Sequence, residues 1–323
     1  MSSRTIRPGR DFRELFTRWK GNPILTATDW PYSVNTVFNP GAVAYDGKVL
    51  LLARAEDRRG FSHLSRAIST NGKDEWDIFP KPVLFPLQDC PEENWGVEDP
   101  RITYIEELEK YAVVYTGFSS SGPMVRLALT TDFINFGDRI SIMPPEDKDA
   151  ALFPKRIFGR WALIHRPIEH GSHIWISYSE NLKDWGDHHI LLPTRPGSWW
   201  DSAKVGLCTP PLETKEGWLF IYHGVKGTAA GYIYRLGLAL LDLDNPSKVL
   251  KRSAGWVFGP RERYEKNGDV PDVVFPCGWI HDEKNDELSI YYGAADTSIC
   301  LATAKLSDVL EYVMKCSNSY ECL

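Results

Sequence analysis

The chain has 323 residues, of which 43% are hydrophobic, 25% charged and 12% aromatic, enough apolar material for a full core, so disorder is excluded as its main state. A formal charge of −6 argues against sequence-independent nucleic-acid binding, which needs an excess of Lys and Arg. No stretch approaches 18 consecutive apolar residues and the start, MSSRTIRPGRDFREL, has no apolar h-region, so no membrane association is expected and the expected compartment is the cytoplasm.

In chain order, Phe12, Leu15, Phe16 and Trp19 recur at i, i+3, i+4 and i+7, which predicts a short amphipathic helix over residues 10–20, within an N-terminal extension of residues 1–30. From residue 31 to 323 a composite pattern recurs five times. It begins with a proline element: FNPG (38–41), EDPR (98–101), LFPK (152–155), CTPP (208–211) and VFPC (274–277). After each comes a turn and an apolar-aromatic run, at 46–57, 108–119, 158–169, 216–227 and 285–296, which reads as a strand. An alternating strand and a turn follow, as in AISTNGKDEW (67–76) and ISYSENLKDW (176–185). Residues 306–314 carry a weaker helical stripe.

A repeat of this length, built of several short strands, is what a propeller blade of four antiparallel strands requires. The expected fold is therefore all-β, a five-bladed β-propeller with a short N-terminal helical extension. Two stacked β-sandwiches are the alternative, but they do not explain five recurrences in register. The six cysteines, Cys90, Cys208, Cys277, Cys300, Cys316 and Cys322, form no CxxC pair and read as reduced thiols. The histidines show no HxxxH or HExxH spacing, so no metal is expected.

In a propeller, equivalent positions of the repeats meet around a central funnel. The residues before the five prolines, Asn39, Asp99, Phe153, Thr209 and Phe275, are thus expected to ring one mouth, with Asp99 the only ionisable member and poised for a raised pKa. The ends of the apolar runs supply a second ring of Arg54, Tyr115, Arg166, His223 and Tyr292, with Asp57 and Asp296 close by. Lys148 and Lys204 stand at the lip. Several cations gathered in one place ask for an anion. Bland readings stand beside these: Asp99 as a turn carboxylate paired with Arg101, the 54–59 charge run as a solvated hairpin, His165 and His223 as satisfied strand-end residues, and Trp199, Trp200 and Trp218 as packing aromatics.

One acid and a cationic cradle suit phosphorolysis of a glycoside better than hydrolysis. A hydrolase needs a second carboxylate to activate water, whereas phosphate needs only cations to hold and orient it. The strings GVEDPRIT (96–103), VFNPGA (37–42), LLARAEDRRG (51–60), LFPK (152–155), HRP (165–167), TPPLET (209–214), YHG (222–224) and YYGAADT (291–297) together resemble glycoside hydrolase family 130, the β-mannoside phosphorylases, from about residue 20 to residue 310.

That resemblance implies a five-bladed propeller and inverting phosphorolysis of β-mannosides to α-D-mannose 1-phosphate, with inorganic phosphate as co-substrate and no cofactor. It implies Asp99 as the general acid, its proton relayed through a mannosyl hydroxyl. It implies Lys148, Arg166, Lys204 and His223 as the phosphate site, with Lys148 where the family more often has Arg. Asn39, Arg54 and Asp296 match positions that hold the mannosyl ring in subsite −1, and Tyr232 and Phe275 are placed in subsite +1. The expected partners are a β-mannoside oligosaccharide, phosphate and further copies of the chain in a homo-oligomer. The competing functions are a β-mannoside hydrolase of the same fold and a non-catalytic glycan-binding propeller.

Overall fold

The computed structural model describes residues 14–87, 89–168 and 171–316. The structure is mostly β. Five units each hold four strands paired antiparallel, in chain order in the first four. Unit I comprises Thr36–Tyr45, Lys48–Glu56, Ser62–Ser69 and Asp77–Ile78. Unit II comprises Gly96–Ile105, Lys110–Ser119, Gly122–Thr130 and Ile140–Ser141. Asp147–Leu152, Trp161–Pro167, Ile174–Ser179 and Trp185–Leu192 make unit III. Unit IV has Lys204–Leu207, Gly217–Thr228, Gly231–Leu241 and Val249–Arg252, plus a short pairing of Leu212–Thr214. In unit V, Val274–Asp282, Glu287–Ala294 and Ser298–Lys305 are joined by Thr17–Arg18 from the far end of the chain.

Each apolar run expected as a strand is the second strand of its unit. The entry turns explain why: between Tyr45 and Lys48, Asp46 and Gly47 both take positive φ (49° and 68°), the two-residue turn whose twist matches an antiparallel hairpin. Alternate side chains then point to opposite faces, and both faces are apolar because each unit packs between two others. Five buried clusters result. They join unit I to II (Leu50, Leu52, Val113, Tyr115), II to III (Val114, Leu127, Trp161, Leu163), III to IV (Ile164, Ile176, Phe220, Tyr222), IV to V (Leu219, Ile221, Ile290, Tyr292) and V back to I (Tyr291, Leu301, Leu51, Ala53). Trp200 and Trp218 lie in these clusters, as the packing reading of them expects.

Polar clips reinforce three of the units. Glu93 is fully buried and accepts a hydrogen bond from Tyr115 Oη at 2.5 Å while Arg126 and Arg139 pair with it at 3.0 and 2.8 Å. Buried Asp201 receives Tyr222 Oη, Arg195 and Arg252. Glu265 receives Tyr292 Oη at 2.8 Å and Arg18 Nε at 2.7 Å. Tyr115 and Tyr292, expected on the funnel ring, serve these clips instead.

The N-terminal helix is corrected for the described residues. Thr17 and Arg18 are extended and pair with Thr303 and Ala302, because the outer edge of Ser298–Lys305 has backbone groups to satisfy and that long-range pairing overrides the local helical pattern. Phe16 is buried edge-on against Phe258 and Arg18 lies over the same ring. Residues 10–13 of the expected helix, and Cys322, lie outside the described residues. The tail stripe does form a helix, Leu306–Met314, which buries Leu306, Val309 and Val313. Cys90, Cys208, Cys277, Cys300 and Cys316 are free thiols. Among the described residues no helix is long and apolar enough to cross a membrane.

Candidate active site

The first strands of units I, II and III share a bulge, at Asn39-Pro40, Asp99-Pro100 and Asp149-Ala150, where the register shifts against the second strand. At each bulge the first residue takes positive φ: 44° at Asn39, 50° at Asp99 and 54° at Asp149. Asn and Asp tolerate that region better than other side chains, and a bulge re-aims the residue it carries. The equivalent of Asp99 in unit III is therefore Asp149 and not Phe153, which the proline register had selected. Phe153 is buried against Trp218 and Thr209 caps a backbone amide of Ile221, so neither belongs to the site. Asp99 is consequently not the only ionisable group of its ring.

Asp99 Oδ1 accepts from Asn39 Nδ2 at 3.0 Å and from Arg54 Nη1 at 3.2 Å. Arg54 also reaches Glu98 at 3.0 Å and Ser62 at 2.8 Å, and its guanidinium lies over Phe38. Gly293 is required here, since a Cβ would come within 2.1 Å of Asn39 Oδ1. That amide oxygen is buried with no hydrogen-bond partner. Burial works against the charge of Asp99, but Arg54, Lys148, Arg101 and the Asn39 amide outweigh it and hold the carboxyl below its usual range. The expected elevation is thus corrected: the neighbours are cationic and not apolar. The elevated carboxyl is that of Asp296, which burial, opposed by Arg54 and helped by Asp99, pushes up to about 7.

Asp149 is the hub of the other half. Its Oδ2 accepts from Arg166 Nε at 2.7 Å and lies 3.6 Å from His223 Nε2, and Arg101 Nη2 approaches Oδ1 at 3.5 Å. Burial opposes its charge, but Arg166, His223, Lys148 and Arg101 hold it far below the usual carboxylate range. Burial pushes His223 down to about 3, so its imidazole is neutral at neutral pH. Gly206 lets the two approach, because a Cβ there would lie 2.4 Å from Asp149 Oδ2.

Arg166 is oriented by its Nε on Asp149 and its backbone amide on Asp147; among the described residues its two terminal nitrogens have no protein partner. Lys148 stands opposite Arg166 in the strand pair, and neither it nor Lys204 has a carboxylate within ion-pair distance among the described residues. Lys204 Nζ lies 5.2 and 5.0 Å from the rings of Tyr232 and Tyr234, and burial together with Arg166 lowers its pKa. Lys148, Arg166 and Lys204 line one cleft of about 330 Å³, together with Glu98, Phe118 and Ser172. Tyr232 is 59% exposed at the rim, whereas Phe275 is buried, tilted against His223 (4.8 Å) and beneath Arg101 (5.7 Å).

The residues that the family resemblance marks fall into two adjoining clusters, Asn39, Arg54, Asp99 and Asp296 in one and Lys148, Arg166, Lys204, His223 and Phe275 in the other, with Tyr232 outermost, whereas Phe153, Thr209, Tyr115, Tyr292 and Asp57 of the expected rings lie outside them. Sequence reading missed Asp149 and Arg101. Arg101 does not pair with the Asp99 carboxylate: it donates to the backbone carbonyls of Asp99 (3.0 Å), Leu207 (2.8 Å) and Cys208 (3.0 Å), tying unit II to unit IV. The signal for Asp149 was available as a third Asn or Asp in a first strand. Asp57 and Arg59 form the solvated hairpin of the bland reading. His165 is likewise satisfied, between Asp147 (2.5 Å) and Ser177 (2.7 Å).

Residues 12–315 match the family described as beta-1,4-mannooligosaccharide phosphorylase. A beta-1,4-mannooligosaccharide phosphorylase of Ruminococcus albus is 34% identical over 315 residues, covering 94% of this chain and 92% of the relative. A beta-1,2-mannobiose phosphorylase of a Thermoanaerobacter species is 37% identical over 311 residues, covering 91% and 98%. Among solved structures, the beta-1,2-mannobiose phosphorylase of Listeria innocua in complex with beta-1,2-mannobiose superposes with a TM-score of 0.84 at 32% identity, over 93% of this chain and 99% of that one. The chain belongs to glycoside hydrolase family 130.

Proposed function

We propose that this protein is an inverting β-mannoside phosphorylase, a hexosyltransferase that cleaves β-mannosides with inorganic phosphate to give α-D-mannose 1-phosphate. The observation that carries the reading is the state of the cations. Arg166 is held by Asp149 through Nε alone, so its terminal nitrogens, with the ammonium groups of Lys148 and Lys204, belong to one cleft and, among the described residues, have no carboxylate partners. A dianion would complete that set. His223, neutral and aimed at Asp149, adds a donor or acceptor without further charge.

In this reading phosphate in the cleft attacks the anomeric carbon from the face opposite the leaving sugar, and Asp99 supplies the proton the leaving oxygen takes up. Asp99 is only 3% exposed, while its neighbour Glu98 lines the cleft, which suits delivery through a mannosyl hydroxyl. The buried, partnerless Asn39 Oδ1 would accept from such a hydroxyl, with Arg54 and Asp296 beside it. Because Lys148 helps keep Asp99 ionised, an incoming phosphate that engages Lys148 raises the proton affinity of Asp99 when the acid is needed. Tyr232 and Phe275 border the leaving sugar. No cofactor is required by this chemistry.

The five four-stranded units, with clusters joining each to the next and unit V to unit I, support a five-bladed propeller as the scaffold. Residues 31–323 would form that catalytic domain, preceded by the N-terminal segment, in a cytoplasmic homo-oligomer. Relatives of similar identity act, by their names, on β-1,4 or on β-1,2 linkages, so the test uses both mannobioses. With orthophosphate, phosphorus NMR is expected to show α-D-mannose 1-phosphate from one of them. Mannose release at the same rate without phosphate makes the protein a hydrolase and defeats the proposal.

A further inference from the structure

The cleft has an aromatic wall that the catalytic reading leaves unused. Phe118, near the end of Lys110–Ser119, lines it beside Lys148 and Glu98. In T-shaped contact with Phe118 stands Trp95, ring centroids 5.4 Å apart at 72°, with 47% of its surface exposed. A lone exposed aromatic needs no explanation on a protein surface. This one differs in touching Phe118, a residue of the cleft wall, and in having its backbone held. Trp95 N donates to Phe118 O at 2.9 Å, and Glu93, two residues earlier, is fixed by Tyr115, Arg126 and Arg139. With its backbone held and its ring against Phe118, the indole has less entropy to lose on meeting a ligand.

Trp95 precedes Asp99 by four residues of mostly extended chain, so at about 3.3 Å per residue it stands up to roughly 13 Å from the acid. That is farther than the sugar in contact with the reacting bond extends. We propose that Trp95 and Phe118 form a stacking platform for a distal acceptor sugar, one beyond the leaving unit, and so set the enzyme's preference for longer β-mannoside chains. The inference rests on reading the cleft as a saccharide site. Aromatic rings stack on the apolar faces of pyranoses, and an edge-to-face partner fixes the plane of the indole.

The test compares Trp95→Ala and Trp95→Phe with the wild type on β-1,4- and β-1,2-linked mannosides of two, three and four units. In phosphorolysis the ratio of KM between Trp95→Ala and wild type is expected to rise about three- to tenfold from the disaccharide to the tetrasaccharide, with Trp95→Phe restoring most of it. Calorimetric titration of the same sugars into Asp99→Asn protein, with and without Trp95→Ala, reads the same length dependence as Kd and needs no turnover. Failure of the phosphorylase reading would appear as absent phosphate consumption by the wild type, and the titration would still decide the platform. A loss equal at every length, no loss, or a loss that Phe does not restore overturns it.

Discussion

Two sets of buried carboxylates in this molecule use the same residue types to opposite ends. At Glu93, Asp201 and Glu265 each acid meets a tyrosine hydroxyl and one or two arginines, and every one of these arginines has a carboxylate within 3.0 Å. Around Asp99 and Asp149 the acids are also paired, but among the described residues Lys148, Lys204 and the outer half of Arg166 are left over. A closed set holds sheets together and has no use for a ligand. An open one has paid the cost of gathering cations and recovers it only when an anion arrives. What separates scaffold from site is thus the remainder after pairing and not the number of charges.

The comparison can be broken in several ways. The largest effect is expected at Asp99→Asn, with turnover of the still-folded protein down by about two to four orders of magnitude, as expected for removal of an acid that acts in the reaction. Loss of less than tenfold in steady-state assays would place the proton elsewhere. Glu265→Gln should do the reverse, destabilising the fold by about 3–5 kcal/mol in denaturant titrations, as for a broken buried pair, without changing the KM for phosphate. A clip variant that alters phosphate affinity at unchanged stability would end the distinction drawn here.

Lys204→Met is expected to raise the KM for phosphate roughly ten- to a hundredfold, from loss of one charge-assisted contact, and to leave stability unchanged or improved, since the lysine is half-buried and unpaired. The smallest effect concerns Asp296. Its folded-state pKa near 7 lies above its unfolded value, so the folded state holds the extra proton between about pH 4 and 7 and stability falls as pH rises through that window. Asp296→Asn should flatten this slope, with a higher melting temperature than wild type at pH 8 and a similar one at pH 4. Parallel pH curves for the two proteins would contradict the assignment.

The strands were legible because each has to satisfy two neighbours with an unbroken apolar run, and runs such as VLLLA and WLFIY can do little else. The tail helix was legible because Leu306, Val309 and Val313 share one face that packs on the same core. Misreadings arose where geometry departs from sequence spacing. The bulge carrying Asp149 has alanine where units I and II have proline, so the proline register slid by four residues and hid it. At residues 14–20 a helical stripe yields to the free edge of Ser298–Lys305, a partner that no local window contains. The pKa of Asp99 was misjudged because it depends on Arg54, Lys148 and Arg101, which come from three units.

That Thr17 sits in register with Thr303 has a bearing on biosynthesis. Thr17–Arg18 is synthesised long before its partner strand and must stay uncommitted until Ser298–Lys305 has emerged, so this pairing closes late, when Arg18 reaches Glu265. Until then an unpaired β edge and the Phe258 side of the hydrophobic interior lie open to chaperones, or to the same edge on another nascent copy.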